Sequence, residues 1–169
     1  NNSGERIIAA KGAPEAILAV SILSEDEKEN LRQQIQEFGK QGYRVLGVAK
    51  CDFEGNDFPE KQQDFKFEFL GFTVFYDPPK KNIQQVFKKI YDAGIKVKVI
   101  TGDNADTTNA IAQQAGIKNN IPAVTGSEIA NHSETELMTL SNETTLFTRM
   151  FPEAKLSVVN ALKQSGEVV

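Results

Sequence analysis

The chain has 169 residues, of which 40% are hydrophobic and 25% charged, as is usual for a soluble globular domain. Its net charge of −4 argues against nucleic acid as the main partner, because a nucleic-acid-binding surface is basic. The single cysteine, Cys51, excludes an internal disulfide and a cysteine-based zinc site, and it fits a reducing compartment. No apolar run approaches the roughly 18 residues of a membrane span.

The first 76 residues combine strands with a few helices. The sequence predicts a strand over residues 6–10, a short helix from Pro14, and a longer helix after a capping box formed by Ser24 and Glu27. The run YRVLGVAK predicts a strand, CDFEGNDFPEKQQD a polar loop, and the aromatic run FKFEFLGFTVFY a long β segment. This pattern indicates a small α+β lobe.

After residue 77 the pattern changes to alternating helices and strands. The predicted elements are a helix from Ile83 to the cap at Gly94, the strand IKVKVI, a helix closed by Gly116, a short strand near Ile121–Val124, a short helix after Ser133, the strand TTLFTRM, and a helix from Pro152. Such alternation indicates βαβ units, so we predict an α/β fold whose second lobe is a partial doubly wound parallel sheet of Rossmann type. We expect the strand IKVKVI to be the most buried strand of the chain.

The residues Asp77-Pro78-Pro79 separate the two patterns. Proline has a fixed φ and no N–H, so two prolines in succession cannot continue a sheet ladder. We interpret them as a rigid connection that limits the movement of one lobe against the other. A simple strand terminator is the alternative.

The run TGDN stands where the strand IKVKVI meets the next helix. Ligands of doubly wound sheets bind beyond the carboxyl ends of the strands, where Thr101 and the N–H groups around Gly102 can face an anion. Asp103 is expected to orient water or a lysine, or to cap the helix. Lys155, early in the last helix, can reach such an anion, and Arg149 is a second phosphate contact. The structural alternatives are a plain strand–helix turn for TGDN, an exposed lysine without a ligand for Lys155, and a salt bridge for Arg149.

The run KGAPE repeats this arrangement in the first lobe. Lys11 and Gly12 precede a helix start, which suits a phosphate or the polar edge of a nucleotide. Arg44 would add a second cation, although arginines in strands often pair with carboxylates. The sequence contains neither G-x-x-x-x-G-K-[ST] nor G-x-G-x-x-G. Its one histidine, His132, is interpreted as an exposed loop residue, since no G-x-S-x-G accompanies it for a serine triad.

Four runs, KGAPE, DPPK, AGIKVKVITGDN and FTRMFPEAKLSVVNALK, follow one another in the order found in P-type cation-transporting ATPases. The chain resembles this family over essentially its whole length, and most of all its calcium-pump-like and bacterial branch. The resemblance implies that residues 1–76 are the C-terminal part of a nucleotide-binding domain. It also implies a hinge at 77–80 and part of a haloacid-dehalogenase-like phosphorylation domain at 81–169.

The resemblance also assigns roles to the candidate residues. It implies that Lys11 and Gly12 border the adenine pocket and that Arg44 contacts the phosphates of the nucleotide. It makes Thr101-Gly102-Asp103 the second phosphoryl-site motif and Lys155 the lysine that neutralises the phosphoryl group. The hinge then includes Lys80, where the family often has arginine.

The resemblance also implies which catalytic motifs of the family are not among these residues. Its nucleophilic aspartate and its magnesium-binding aspartates belong to motifs outside these 169 residues, so we expect a fragment that is inactive alone and holds no metal. ATP and Mg²⁺ would be used by the full-length protein, at the cytoplasmic face of a membrane, with membrane helices and an actuator domain in the same polypeptide. A soluble dehalogenase-like phosphatase and a non-catalytic nucleotide-binding module are the alternative functions, and the cation is not encoded in these residues.

Overall fold

The structure is a computed structural model that describes residues 5–54 and 57–169. The chain divides into two compact units, of which the first ends at Tyr76 and the second begins at Asp77 and also takes in Lys40–Gly42. The first unit contains, in order, β1 (Glu5–Gly12), α1 (Pro14–Val20), α2 (Glu25–Lys40), β2 (Arg44–Glu54), a short 3-10 turn (Gln62–Asp64) and β3 (Glu68–Phe75).

The strands of the first unit form one antiparallel sheet in the order β1-β2-β3. The predicted loop CDFEGNDFPEKQQD is in part wrong, because its first four residues continue β2 and pair with β1, Cys51 opposite Ile8. Alternation of buried and open residues persists there, with Cys51 buried, and this pattern favours a strand over a loop. Two further residues of that run, Gly55 and Asn56, lie outside the described part of the chain.

Both helices of the first unit pack on one face of this sheet. Leu18 of α1, Ile35 of α2 and Val45 of β2 form one buried cluster, and Ile17 joins Ala49 in a second. The predicted capping box at the start of α2 is present, since the Ser24 N–H donates to the Glu27 carboxylate at 2.8 Å and the Glu27 N–H donates to the Ser24 hydroxyl at 3.3 Å.

The second unit contains more helix than strand. Its elements are α3 (Ile83–Asp92), β4 (Val99–Ile100), α4 (Ala105–Ala115), β5 (Val124–Thr125), α5 (Gly126–Ile129), α6 (Glu134–Glu143), β6 (Leu146–Thr148) and α7 (Pro152–Gln164). The three strands are parallel in the order β4-β6-β5, so the predicted α/β class with a parallel second lobe is confirmed. The four-residue α5, with a capping box at Thr125 and Glu128, was not predicted.

The most buried strand is β6. The expectation that the strand IKVKVI, which contains β4, would be the most buried is wrong. Leu146, Phe147 and Thr148 are all fully buried, whereas Val99 and Ile100 are half-buried. The reason is strand order: β6 has a hydrogen-bonded neighbour on each side, while β4 pairs only with β6 among the described residues. Phe147 packs in a cluster with Met150, Ala154 and Val158, which belong to α7 and the segment before it.

Thr148 buries a hydroxyl for which the described residues offer no hydrogen-bond partner. An orphaned buried hydroxyl costs about 1–3 kcal/mol, and valine has nearly the same shape and a higher strand propensity. We therefore expect Thr148→Val to raise the free energy of unfolding by about 1 kcal/mol in urea titrations. Thr148→Ser keeps the hydroxyl, loses the methyl group and should lower it. Equal or lower stability of the valine variant would contradict this account.

No helix among the described residues has both the length and the apolar character needed to cross a membrane.

Candidate phosphoryl and nucleotide sites

The TGD loop of the second unit is held by its own side chains. The Thr101 hydroxyl donates to the Asp103 carboxylate at 3.0 Å and accepts the Asp103 N–H at 3.1 Å. Asn104 then caps α4, its side-chain oxygen accepting the Thr107 N–H at 2.8 Å. The hydroxyl and carboxylate of this motif are therefore adjacent, at the carboxyl end of a strand and before a helix start. Gly102 is exposed between them.

The segment that follows β6 is hydrogen-bonded to this loop. The Arg149 N–H donates to the Asp103 carbonyl at 2.9 Å, and the Met150 N–H donates to the Thr101 carbonyl at 3.0 Å. Arg149 has a φ of 50°, which is uncommon for a residue other than glycine and is found where surrounding structure imposes it. The structure thus joins two motifs that are 46 residues apart in the sequence.

Lys155 lies in the first turn of α7, which begins at Pro152 immediately after this segment. Its backbone N–H donates to the Phe151 carbonyl, and its side chain is exposed. Among the described residues its ammonium group has no ion-pair or hydrogen-bond partner. Thr101, Asp103, Arg149 and Lys155 therefore stand on two hydrogen-bonded loops and the helix that follows one of them.

Two of the candidate nucleotide residues of the first unit, Lys11 and Arg44, share one face of its sheet. A Cβ built at Gly47 would lie 2.8 Å from Ile17, which shows that α1 packs on the face to which Gly47 belongs. Side chains alternate along a strand, so the neighbours of Gly47 face the other way, as does Arg44. Lys11 pairs with Val48 across the sheet and shares that face.

Two apolar residues that the sequence reasoning missed lie between the two cations. Leu46 and Val48 are half-buried on the same face, and both cations are exposed, Lys11 opposite Val48 and Arg44 at the start of β2. Val48, which lies opposite Lys11, is four positions along β2 from Arg44, about 13 Å, so the cations can contact different parts of an elongated ligand. The alternation in RVLGVAK was the signal that could have identified Leu46 and Val48.

Another lysine on this face, Lys50, is already paired with two carboxylates. The Lys50 ammonium lies 3.2 Å from the carboxylates of both Glu68 and Asp52, and their hydrogen bonds raise its pKa, that of Glu68 most. Lys11, in contrast, has no such partner among the described residues. An anionic ligand on this face would therefore meet the charge of Lys11.

Other predicted positions are less informative. Gly12 ends β1 opposite Gly47, and a Cβ there would meet nothing within 4 Å. Pro14 has no N–H, and the N–H groups of Ala16 and Ile17 donate to the Ala13 carbonyl, so the start of α1 offers few donors to a ligand.

The segment 77–80 precedes α3 without regular secondary structure. Asp77, Pro78 and Lys80 are exposed, Pro79 is half-buried, and the Lys80 carbonyl accepts the Ile83 N–H at 2.9 Å. Its role as a hinge stays a prediction. Within residues 5–54 and 57–169, no group of three histidine, cysteine or acidic side chains could hold a metal ion.

Comparison with known proteins finds similarity to P-type ATPases along the chain. Residues 1–82 match the family model for the cytoplasmic domain N of P-type ATPases. The chain is 30% identical over 98% of its length to the magnesium-transporting ATPase, P-type 1 of Salmonella typhimurium, of which it covers 20%. It is 31% identical over 97% of its length to the cation-transporting ATPase pma1 of Synechocystis, covering 19%, and 27% identical over 100% to a calcium-transporting ATPase of Bacillus subtilis, covering 20%.

The chain therefore spans about a fifth of the length of these relatives. The family model covers the first unit, and the relatives align across both units. From these matches, together with the order of its motifs, the chain belongs to the family of P-type cation-transporting ATPases.

Proposed function

We propose that this chain works within an ATP-driven cation pump. In this proposal the first unit binds ATP on the sheet face that carries Lys11, Leu46 and Arg44, and the second unit binds the transferred phosphoryl group at Thr101-Gly102-Asp103. The observation that carries the proposal is the pair of hydrogen bonds by which residues 149 and 150 hold the TGD loop, directly before the helix with Lys155.

Each residue has a distinct task in the proposed reaction. Lys11 attracts the negative charge of the nucleotide, and Leu46 and Val48 offer apolar surface to its base. Arg44, at the start of β2 on the same face, contacts the phosphates. These contacts exist before transfer and in the transition state alike, so they set the affinity for ATP rather than the rate of transfer.

The phosphoryl site acts on the charge that develops during transfer. Thr101 and the N–H groups around Gly102 donate to phosphoryl oxygens, while Lys155 and Arg149 bring positive charge. In this structure the Thr101 hydroxyl donates to the Asp103 carboxylate and accepts the Asp103 N–H, so these bonds must open before the hydroxyl and that N–H can donate to a phosphate. The acceptor is an aspartate elsewhere in the polypeptide, on which the aspartyl-phosphate forms, and the prolines of 77–80 are the hinge.

Magnesium is expected in the reaction, and the described residues contain no group of three histidine, cysteine or acidic side chains that could hold it. Asp103 is the one carboxylate of the TGD loop, and no cluster of ligands accompanies it. The actuator domain and the membrane helices that carry the cation would likewise belong to other parts of the polypeptide, which would place this chain at the cytoplasmic face of the membrane.

ATP binding by the first unit can be tested on the chain itself. We expect a dissociation constant of order millimolar, about −4 kcal/mol, because the chain carries only part of the nucleotide pocket. Amide NMR should show shifts on β1 and β2 during ATP titration. Lys11→Ala should weaken binding several-fold, whereas Lys66→Ala, which removes an equal charge from an exposed position of the same unit, should leave it unchanged. Shifts confined to the second unit would reject the proposed nucleotide face.

A further inference from the structure

Gly126, the first residue of α5, lies against the segment that holds the proposed phosphoryl site. Gly126 is buried, and a Cβ built there would lie 2.7 Å from the carbonyl oxygen of Arg149 and 3.1 Å from two ring atoms of Phe151. Real Cβ atoms essentially never approach another atom this closely, because non-bonded atoms repel at such distances. A close-packed interior also leaves the carbonyl little room to move away. Gly126 has no left-handed φ, so a glycine is required here for space and not for backbone conformation.

The two residues that meet Gly126 hold the rest of the site. Arg149 is in the left-handed conformation, with its carbonyl against Gly126 and its N–H bonded to the Asp103 carbonyl. Met150, the next residue, donates to the Thr101 carbonyl. Phe151 is the N-cap residue of α7, the helix that carries Lys155.

We infer that Gly126 is a positioning residue: its missing side chain is the space that lets Arg149 adopt its conformation and bind the TGD loop. The inference rests on the proposed function, because it concerns the same phosphoryl site. A methyl group at position 126 would push the Arg149 carbonyl away, and the N–H of the same residue and that of Met150 would then lose their alignment with Asp103 and Thr101.

The turn that carries Gly126 is itself firmly held, so it does not yield to such a methyl group. The Thr125 N–H and hydroxyl donate to the Glu128 carboxylate at 2.7 and 2.6 Å, and these bonds, the hydroxyl first, lower the pKa of Glu128. Thr125 is also paired with Thr148 of the central strand. Ile129, three residues after Gly126, is anchored in the cluster around Phe147.

Amide hydrogen exchange of the 169-residue chain, measured by NMR, tests the inference. In Gly126→Ala we expect the N–H groups of Arg149 and Met150 to exchange roughly tenfold faster relative to those of Val99 and Thr101. The latter two bond to the Thr145 and Phe147 carbonyls and report on the sheet. A general loss of stability would accelerate all four alike. Ser127→Ala, which removes an exposed hydroxyl 3.0 Å from the Thr125 hydroxyl and leaves the Thr125–Glu128 bonds in place, should leave all four nearly unchanged.

A second variant covers the case in which Gly126→Ala does not fold. In Gly126→Ala/Arg149→Gly the glycine can adopt other backbone angles and carry its carbonyl away from the methyl group. The double variant should fold, with fast exchange at positions 149 and 150. The inference is overturned if the exchange of these two amides changes no more than that of Val99 and Thr101, or if the double variant remains unfolded.

The proposed phosphoryl site has a separate readout in the same samples. Inorganic phosphate should shift the amide signals of Gly102 and Asp103 in the unchanged chain and shift them less in Gly126→Ala. If phosphate moves no signal of the TGD loop in the unchanged chain, the proposed function fails at this site. The exchange rates at positions 149 and 150 still show whether Gly126 positions the loop.

Discussion

Lys155→Ala in the full-length protein is expected to lower the maximal rate of phosphoenzyme formation roughly 100- to 1000-fold, while the half-saturating ATP concentration changes little. Lys155 is exposed and has no ion-pair partner among the described residues, so its charge is available to a ligand. That charge is most valuable as negative charge gathers between the aspartate and the phosphate. Losing one such preorganised contact costs about 3–4 kcal/mol in the transition state.

The measurement is the rate of phosphoenzyme formation against ATP concentration. Lys163→Ala is the matched control, because Lys163 is an exposed lysine in the last turn of the same helix and its loss changes the net charge equally. It should behave as the unchanged protein does. If Lys155→Ala altered only the half-saturating ATP concentration and kept the maximal rate, Lys155 would not act at the phosphoryl site.

Phe147→Ala is expected to destabilise the second unit by about 3–5 kcal/mol. Phe147 is 0% exposed on the central strand and packs against Met150 and Val158, so its truncation removes apolar burial and leaves a cavity. Its carbonyl also accepts the Thr101 N–H, which ties this core position to the TGD loop. Such a loss is a large part of the roughly 5–15 kcal/mol that stabilises a typical domain.

Urea denaturation followed through NMR signals of the second unit measures this loss. Leu156→Ala is the comparison, since Leu156 lies on α7 with 60% of its surface exposed and should cost less than about 0.5 kcal/mol. Signals of the first unit should keep their midpoint, because Phe147 belongs to a core cluster of the second. Equal losses for the two variants would mean that β6 is not the centre of this core.

Much of the local structure was predictable from short stretches of sequence. The capping box of Ser24 and Glu27 involves residues three positions apart, so the pattern contains both partners. The change from the strand-rich first 76 residues to alternating helices and strands likewise predicted the parallel second sheet. The motif order in addition pointed to the family, which the comparisons then confirmed.

Other features depend on residues far apart in the chain, and only the tertiary structure decided them. No local pattern states that β6 lies between β4 and β5, so burial was assigned to the wrong strand. Val48 became a candidate once pairing with β1 placed it opposite Lys11, and Leu46 lies two residues away on the same face of β2.

The phosphoryl site depends most on such pairing. The bonds from residues 149 and 150 to the TGD loop span 46 and 49 residues, and the contact of Gly126 with Arg149 spans 23. Side-chain periodicity and capping report on neighbours within about one turn of helix or a few residues of strand. The sequence by itself therefore determined the elements and the candidate residues, while their assembly into a site came from strand order and close packing across the sheet.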